Sequence, residues 1–410
     1  MIMLIKAALR SIRKNLLMNF FILLEMIAAI SLSVIMTSSF MIRYRYYEPF
    51  KQELSSTGMF CEFGGMANKN AFVEGIGNGI IHDDEILAEL NGAQSVLSCN
   101  LVETYFEKDG QKAEALCYSY NDEVIKRFTP QLESGRYLAV SDQADCIEAV
   151  ITGDAYGWSV GDEIDVDFCL SEPLKVKIVG KLADKAKVFG GNSSFTGKDN
   201  YNIMFASTEN DNDFPILLFS SESLDKFCPE AERITQGLKT AIINYPDNTD
   251  YSVIQEDQIK LDTFGRPYTI QLDVFNKNSI EYMSSEIYNL LPIIIVILIM
   301  IFVSSISSTA LSSYQQLREY AVYYIVGLRW SQCVYINLIK SCLLSAVSAA
   351  LSAVILVVLP LTGLADSVTV IPGAFVFASA LFVIIAYIAV SMIMPAAIFH
   401  KNTPKQILTR

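Results

Sequence analysis

Residues 16–42 read LLMNFFILLEMIAAISLSVIMTSSFMI, 27 residues whose single charge is Glu25. A bilayer core takes about 20 apolar residues as a helix, so this stretch spans with some tilt. Lys6, Arg10, Arg13 and Lys14 precede it, and basic residues of this kind stay on the cytoplasmic side. A secretory signal peptide shares the basic start, but its apolar part runs to roughly 7–15 residues before a small-residue cleavage site. Here the apolar run is longer and no A-x-A site follows. An uncleaved anchor is expected.

Three more apolar stretches lie at the other end: Leu290–Leu311, Val334–Leu361 with one lysine, and Pro372–Phe399 with no charge. The loop before the third carries Arg318 and Arg329, the loop after it carries only Asp366, and the tail carries Lys401, Lys405 and Arg410. Basic residues thus alternate in, out, in, as four spans with both termini in the cytoplasm require. The expected layout is a lead-in (1–15), transmembrane helix 1 (16–42), an extracytoplasmic domain with stalk (43–289) and transmembrane helix 2 (290–311). A cytoplasmic loop helix (312–333), transmembrane helix 3 (334–361), a short outer loop (362–371), transmembrane helix 4 (372–399) and a cytoplasmic tail (400–410) complete it.

Charge supports the partition. Tyr46–Ser285 holds 40 acidic against 19 basic residues and the flanks hold 4 against 12, nets of −21 and +8 that sum to the chain's −13. A basic, apolar frame around an acidic insert suits a membrane protein with a water-facing domain. Such an acidic surface excludes nucleic acid, which needs clustered Lys and Arg. The only histidines, His82 and His400, argue against a histidine triad or a zinc site. Six cysteines (Cys61, Cys99, Cys117, Cys146, Cys169, Cys228) fall in the insert without a CxxC pair. Their number leaves disulfides and free thiols both open.

The insert reads as mixed α/β. Ala149–Ile151, Glu163–Phe168 and Lys175–Val179 cluster β-formers between turn residues. Asp83–Leu90 and Asn121–Phe128 carry helix starts. Tyr44–Leu54 and Ser279–Tyr288 continue the first two spans outward as a stalk. The fold class is therefore a four-helix membrane protein with a mixed α/β extracytoplasmic domain between helices 1 and 2.

Three motifs imitate ligand sites. Gly75, Gly77 and Gly79 lack the GxGxxG spacing and a preceding strand. Gly197-Lys198 has Asn192 at the Walker glycine and Asp199 where Ser or Thr should hold magnesium. Glu209, Asp211 and Asp213 open like a calcium loop, but Phe214 stands where the tight turn needs Gly. Turn residues and a solvated acidic loop account for all three. No ATP-hydrolysing motif or catalytic constellation occurs, so the chain is not expected to be an enzyme.

The inner loop Gln315–Gln332 reads QQLREYAVYYIVGLRWSQ, with Leu317, Ala321, Ile325 and Leu328 at helical spacing. That pattern describes an amphipathic helix lying on the cytoplasmic surface. On the residues alone the plainer reading is interface anchoring, with Tyr320, Tyr323, Tyr324 and Trp330 as an aromatic belt. The segment also resembles the R-E-(I/F)-…-L-x-x-(L/I/V)-G stretch of MacB/FtsX-type permeases of ABC transporters, through Arg318-Glu319-Tyr320 and Ile325-Val326-Gly327. The lead-in IKAALRSIRKN, the tail PAAIFHKNTPKQIL with Pro395, Pro404 and Leu408, and Ser134-Gly135-Arg136-Tyr137 with the residues after it resemble other parts of that family. Tyr323-Tyr324, Leu328-Arg329-Trp330 and Gln406 depart from its pattern, and Tyr201–Asp273 matches none of it.

The resemblance implies that 312–333 is a coupling helix gripped by a separate ABC ATPase subunit through Arg318, Glu319, Ile325 and Gly327. It implies no cofactor in this chain, with ATP and Mg bound by the partner, and a homo- or heterodimer of permeases in a bacterial cell membrane. The output would be export of a peptide, antibiotic or lipid-like substrate. An FtsX-like regulator of a cell-wall hydrolase, with an extracytoplasmic protein partner, is the alternative. A non-ABC receptor or adhesin is a third reading, and it would need no coupling helix.

Two charges fall inside spans. Glu25 and Lys340 count to similar depths from the cytoplasmic side, and intramembrane charges are usually paired or face protein. An interhelical Glu25–Lys340 pair is one expectation; a snorkelling Lys340 with a protonated Glu25 is the other. Ser341, Ser345, Ala349 and Ala353 recur every four residues, a small-residue face for close helix packing against the first span or a second copy.

Overall fold

The computed structural model describes residues 2–14, 16–63, 83–108, 111–152, 157–167, 173–184, 186–191, 196–207, 215–227, 237–261, 267–325, 327, 330–361, 370 and 373–401. In chain order the helices are α1 (Ile2–Lys14), α2 (Leu16–Tyr47), α3 (Lys51–Leu54), α4 (Asp83–Glu89), α5 (Asp122–Arg127), α6 (Ser221–Phe227), α7 (Tyr251–Leu261), α8 (Leu272–Ile325), α9 (Trp330–Leu361) and α10 (Ala374–Lys401). Four of them, α2, α8, α9 and α10, are long and apolar enough to cross a membrane. The chain forms two units, residues 1–44 with 283–410, and residues 45–282. A mixed α/β unit is therefore inserted between the first and second membrane-length helices.

In the helical unit, Ile22, Met26, Ala29 and Ile30 of α2 pack with Ile301 of α8, Leu356 of α9, and Val376, Val383 and Tyr387 of α10. Helix α8 turns Ile293, Ile295, Val296, Ile299 and Val303 outward and buries Ser305, Ser308, Thr309, Ser312 and Ser313. That inversion suits lipid, where apolar side chains gain nothing by leaving the solvent and hydroxyls seek protein partners. Thr309 accordingly donates to the Ser305 carbonyl at 2.7 Å.

One expectation is corrected here. The loop helix expected at 312–333 is not separate from the helix of the second span; α8 runs unbroken from Leu272 to Ile325. No Gly or Pro occurs between Leu311 and Ile325, so nothing interrupts the i→i−4 ladder. The break comes at Gly327, whose φ of +102° lies where glycine alone is free of Cβ conflict. Its N–H donates to the Tyr324 carbonyl at 3.0 Å, closing the helix end.

The α/β unit holds strands β1 (Gly58–Phe63), β2 (Ser95–Lys108), β3 (Gln111–Tyr120), β4 (Leu132–Gly135), β5 (Glu148–Thr152), β6 (Glu163–Asp167), β7 (Leu174–Leu182), β8 (Lys187–Phe189), β9 (Phe205–Ser207), β10 (Ile216–Ser220), β11 (Gly237–Asn244) and β12 (Tyr268–Gln271). Its main sheet runs β12-β1-β11-β2-β3-β10-β5-β7-β4, with β6 bridging β2 and β7. Pairing is antiparallel except for β3 with β10 and β5 with β7. The strands and helices expected at 149–151, 163–168, 175–179, 83–90 and 121–128 correspond to β5, β6, β7, α4 and α5, with Phe168 outside the described residues. The Asn121 side chain caps α5 by accepting from Val124 N–H. The stretch Tyr201–Asp273, opaque in the sequence, supplies β11 inside the sheet and β12 at its edge.

Because successive strand residues alternate faces, the sheet buries two layers. One holds Met59, Cys61, Ala241 and Ile243 under Ile86 of α4 and Ile254 and Leu261 of α7. Farther along, Cys117, Ala149, Ile178, Leu217 and Phe219 pack with Leu224 of α6. The opposite face is aromatic: Phe50 stacks on Phe189 at 5.0 Å, and Phe60 stacks on Phe275, near the start of α8, at 4.8 Å. Tyr47, at the end of α2, donates to Asn276 at 2.7 Å, and Ser279 accepts from the Tyr201 N–H at 2.8 Å.

Cys61, Cys99, Cys117 and Cys146 are free thiols. Register explains it: Cys99 faces Tyr120, whereas Cys117 faces Val102, so neighbouring strands point these two thiols to opposite faces. Burial raises the pKa of Cys61, Cys99 and Cys117, which leaves them inert. Cys169 and Cys228 lie outside the described residues.

Candidate functional site: the junction of the second and third spans

At the basic end of the helical unit, α1 packs beside the end of α8 and the start of α9. Ala8, Tyr320 and Ile336 form a small buried core, with Leu317, Tyr323 and Ile339 around it. A polar chain runs beneath. Gln316 donates to Ser11 at 2.7 Å and to Ser312 at 3.2 Å, and Tyr320 donates to Gln316 Oε1 at 2.6 Å. Tyr320 is only 1% exposed, so it belongs to this core with Ala8 and Ile336 and not to an aromatic belt. Nothing local in the sequence marks Ser11 or Gln316, because their partners lie 305 positions apart.

The residues singled out by the sequence cluster around this core. Glu319 pairs with Lys14 of α1 at 2.7 Å, with both side chains over 40% exposed. An ion pair so exposed contributes roughly 0–1 kcal/mol, so it aligns the helices more than it holds them. Arg318 is exposed and makes no ion pair among the described residues. Ile325 is 66% exposed at the last turn of α8, and Gly327 follows in its left-handed turn with open space where a Cβ would stand. Val326, Leu328 and Arg329 lie outside the described residues.

Glu25 and Lys340 are not brought together; no ion pair joins them. Ser348 donates to the Leu23 carbonyl at 3.5 Å and Ser352 to the Ile27 carbonyl at 3.3 Å. The two helices therefore run parallel with a constant offset of 325 residues. Glu25 lies level with residue 350, about 15 Å along α9 from Lys340 at 1.5 Å per residue. The equal-depth count fails because Leu16, where the first apolar run begins, is level with Ser341 of α9 and not with Val334, where the third begins.

The small-residue face splits between partners. Ser341 bonds Ser391 of α10 at 2.9 Å, and Ser345 donates back to the Ser341 carbonyl at 2.9 Å. Contacts with the first span come from Ser348 and Ser352, one position to the side. Ala349 and Ala353 line an apolar cavity of about 760 Å³ with Ile30, Val34, Val376 and Ala380.

In the α/β unit the Ser134–Tyr137 motif is a latch. Gly135 has φ +79°, and a Cβ there would lie 2.4 Å from the Val179 carbonyl oxygen. Arg136 grips Glu148 through both guanidinium nitrogens, one at 2.8 Å, and Ala139 N–H adds a bond at 3.1 Å. Burial pushes the Glu148 carboxyl up, but the Arg136 and Ala139 hydrogen bonds outweigh it and hold the pKa below its ordinary value. Glu62 is the opposite case. It is 4% exposed with neither carboxylate oxygen hydrogen-bonded, and burial, then the nearby Asp199 charge, pushes its pKa up to about 7. Asp199 accepts from Thr196 N–H at 2.8 Å, from Gly197 N–H at 3.3 Å and from Tyr268. The residue after Gly197-Lys198 thus closes a loop. Gly75–Gly79 and Glu209–Asp213 lie outside the described residues. Among the described residues no group of three His, Cys, Asp or Glu is placed to hold a metal ion.

No protein-family model and no curated protein matches the chain. Among solved structures it is similar to the periplasmic region of MacB from Actinobacillus actinomycetemcomitans, at 14% identity over 54% of this chain and 92% of that one, with a TM-score of 0.31. It is similar also to the extracellular domain of the noncanonic ABC-type transporter YknZ from Gram-positive bacteria, at 8% identity over 52% and 99%, with a TM-score of 0.30.

Proposed function

We propose that the chain is the permease subunit of an ABC transporter, driven by a separate ATPase that binds ATP and Mg. The observation that carries this reading is the end of α8. Arg318, Ile325 and Gly327 are exposed there, Glu319 is braced by α1, and the whole stands at the basic end of the helical unit. A four-helix bundle with a domain inserted after its first helix, and a charged, aligned segment between its second and third, has the parts that an external motor would grip and move. Because α8 is one helix from Leu272 to Ile325, the gripped segment here is a continuation of the second span.

ATP-driven displacement of that segment would act on the α/β domain outside the cytoplasm, as part of an assembly of two permeases and two ATPases. The substrate class is a peptide, antibiotic or lipid-like molecule expelled from outside the membrane core. The buried surface of the bundle supports this: its polar groups are mostly single hydroxyls and do not outline a hydrophilic channel.

Affinity purification of the tagged full chain from its own cells tests the reading. A co-purifying, vanadate-sensitive ATPase is expected, and Gly327→Leu should cut its yield at least tenfold by straining the left-handed turn and placing bulk at the docking point. Glu319→Lys should also lower the yield, and adding Lys14→Glu should not restore it if Glu319 meets the ATPase directly. No ATPase in the wild-type eluate would overturn the proposal.

A further inference from the structure

We propose that α1 is an anionic-lipid site, in which Lys6, Arg10 and Arg13 hold phosphate-bearing headgroups while Ile5 and Leu9 enter the acyl boundary beside them. The inference does not rest on the transporter reading. At about 100° per residue, three sectors follow one another around α1. Ala8 and Ser11 are buried against α8 and α9. Ile5 and Leu9, roughly 60° and 100° from Ala8, are exposed apolar side chains. Lys6, Arg10 and Arg13 occupy the next sector, roughly 140–200° from Ala8, and all three are exposed.

Three further observations select lipid as the occupant. Helix α1 contains no acidic residue, and among the described residues none of Lys6, Arg10 and Arg13 makes an ion pair, whereas Lys14 is engaged by Glu319. The apolar sector also continues past the end of α1. Asn19 donates to the Ile12 carbonyl at 2.9 Å, satisfying one acceptor of the helix end, and Leu16, Leu17 and Phe20 beyond it are exposed on the membrane-length helix α2. A basic sector flanked by an apolar one that merges into a lipid-facing span is the arrangement of an interfacial helix. An acidic protein surface would match the charges but leave Ile5 and Leu9 without a role.

Native mass spectrometry of the full chain, purified in detergent containing equal amounts of phosphatidylglycerol and phosphatidylcholine, tests it. Retention of phosphatidylglycerol over phosphatidylcholine is expected. Each basic residue near an anionic surface changes affinity about fivefold, so Arg13→Gln should cut the preference about fivefold. The triple variant K6Q/R10Q/R13Q should bring it to parity. Lys14→Gln should leave it unchanged, and glycerol phosphate, the headgroup without chains, should not displace the lipid. Equal retention of both lipids by the wild type, or an unchanged preference in Arg13→Gln and the triple variant, would overturn the proposal. So would a loss in Lys14→Gln as large as in the triple variant, which reports net charge alone, or displacement by glycerol phosphate, which reports a bare phosphate site.

Discussion

The two units bury polar groups by opposite rules. In the α/β unit buried charges come with partners. Asp257 is 0% exposed and takes bonds from Tyr245 at 2.9 Å and Asn91 N–H at 2.7 Å, and Lys239 pairs with Asp83 at 2.7 Å. The helical unit buries mainly hydroxyls, on α8 and α9, beside a few amides and Lys340, and turns many of its large aliphatic residues outward. Water makes apolar burial the driving force in the first case, so polar groups inside must be fully answered. Lipid removes that driving force in the second, and close approach of small residues takes its place. A substitution should therefore cost most where the α/β unit has no slack, and least among the hydroxyls between helices.

Gly135 is the sharpest place to break the comparison. Alanine there meets both a left-handed φ and a backbone carbonyl at 2.4 Å, with the Gly180 Cα at 2.8 Å behind it. Backbone atoms of β7 cannot move aside as a flexible side chain could. Gly135→Ala should destabilise the α/β unit by about 3 kcal/mol or more, read as lost hydrogen-exchange protection in β4, β5 and β7 of the full chain. Protection equal to the wild type would mean that the latch is dispensable.

Glu62 is the exception to the rule of answered charges, and its effect runs the other way. Its folded pKa, about 7, is above the ordinary carboxylate value of 4.5. The folded state then binds the proton more tightly, so the stability linked to it is present below about pH 4.5 and is lost as pH rises through about 7. Glu62→Gln should remove that loss, stabilising the protein on the order of 2 kcal/mol at pH 8 and little at pH 4.5. Melting curves at the two pH values check it. Glu222, also raised to about 7 by burial, titrates in the same window, but it accepts two bonds from the Asp122 N–H. Its Gln variant should lose part of what neutralisation gains. An equal gain from both variants would mean that those hydrogen bonds contribute nothing.

How much of this was legible in the sequence follows the same division. Length and loop charge locate four spans because the bilayer fixes both quantities. Strands around Ala149 and Val176 announce themselves by local pattern. What escaped depends on register between distant segments. Counting from each apolar edge sets Lys340 level with Glu25, whereas helix contact sets Glu25 level with residue 350. Ser348 and Ser352, the hydroxyls that meet the first span, lie beside the four-residue repeat that drew attention to Ser341 and Ser345. Tyr320 looks like an interface aromatic, yet it is buried with Ala8 and Ile336, residues distant in the chain. Arg318, Glu319 and Ile325 lie in the last turns of α8 and Gly327 just beyond them. Their support from Lys14, Ser11 and Gln316 has no local signature.

The smallest expected effect tests the lipid half of the comparison. Ser341 and Ser391 share a hydrogen bond at 2.9 Å, and Ser391 also donates to the Ile388 carbonyl at 2.8 Å. Ser341→Ala removes the Ser341–Ser391 bond without adding volume, and Ser391 keeps its own acceptor. Hydrogen bonds between membrane helices average about 0.6 kcal/mol, because the unfolded helices in lipid find other partners. A double-mutant cycle of Ser341→Ala and Ser391→Ala, read by unfolding the full chain in mixed micelles, should return a coupling near that value. A coupling above about 2 kcal/mol would show that the hydroxyls between α9 and α10 are fastened as tightly as the charges in the α/β unit. Helix association would then rest on polar contacts, and the close approach of Ser341 and Ser391 would be their consequence.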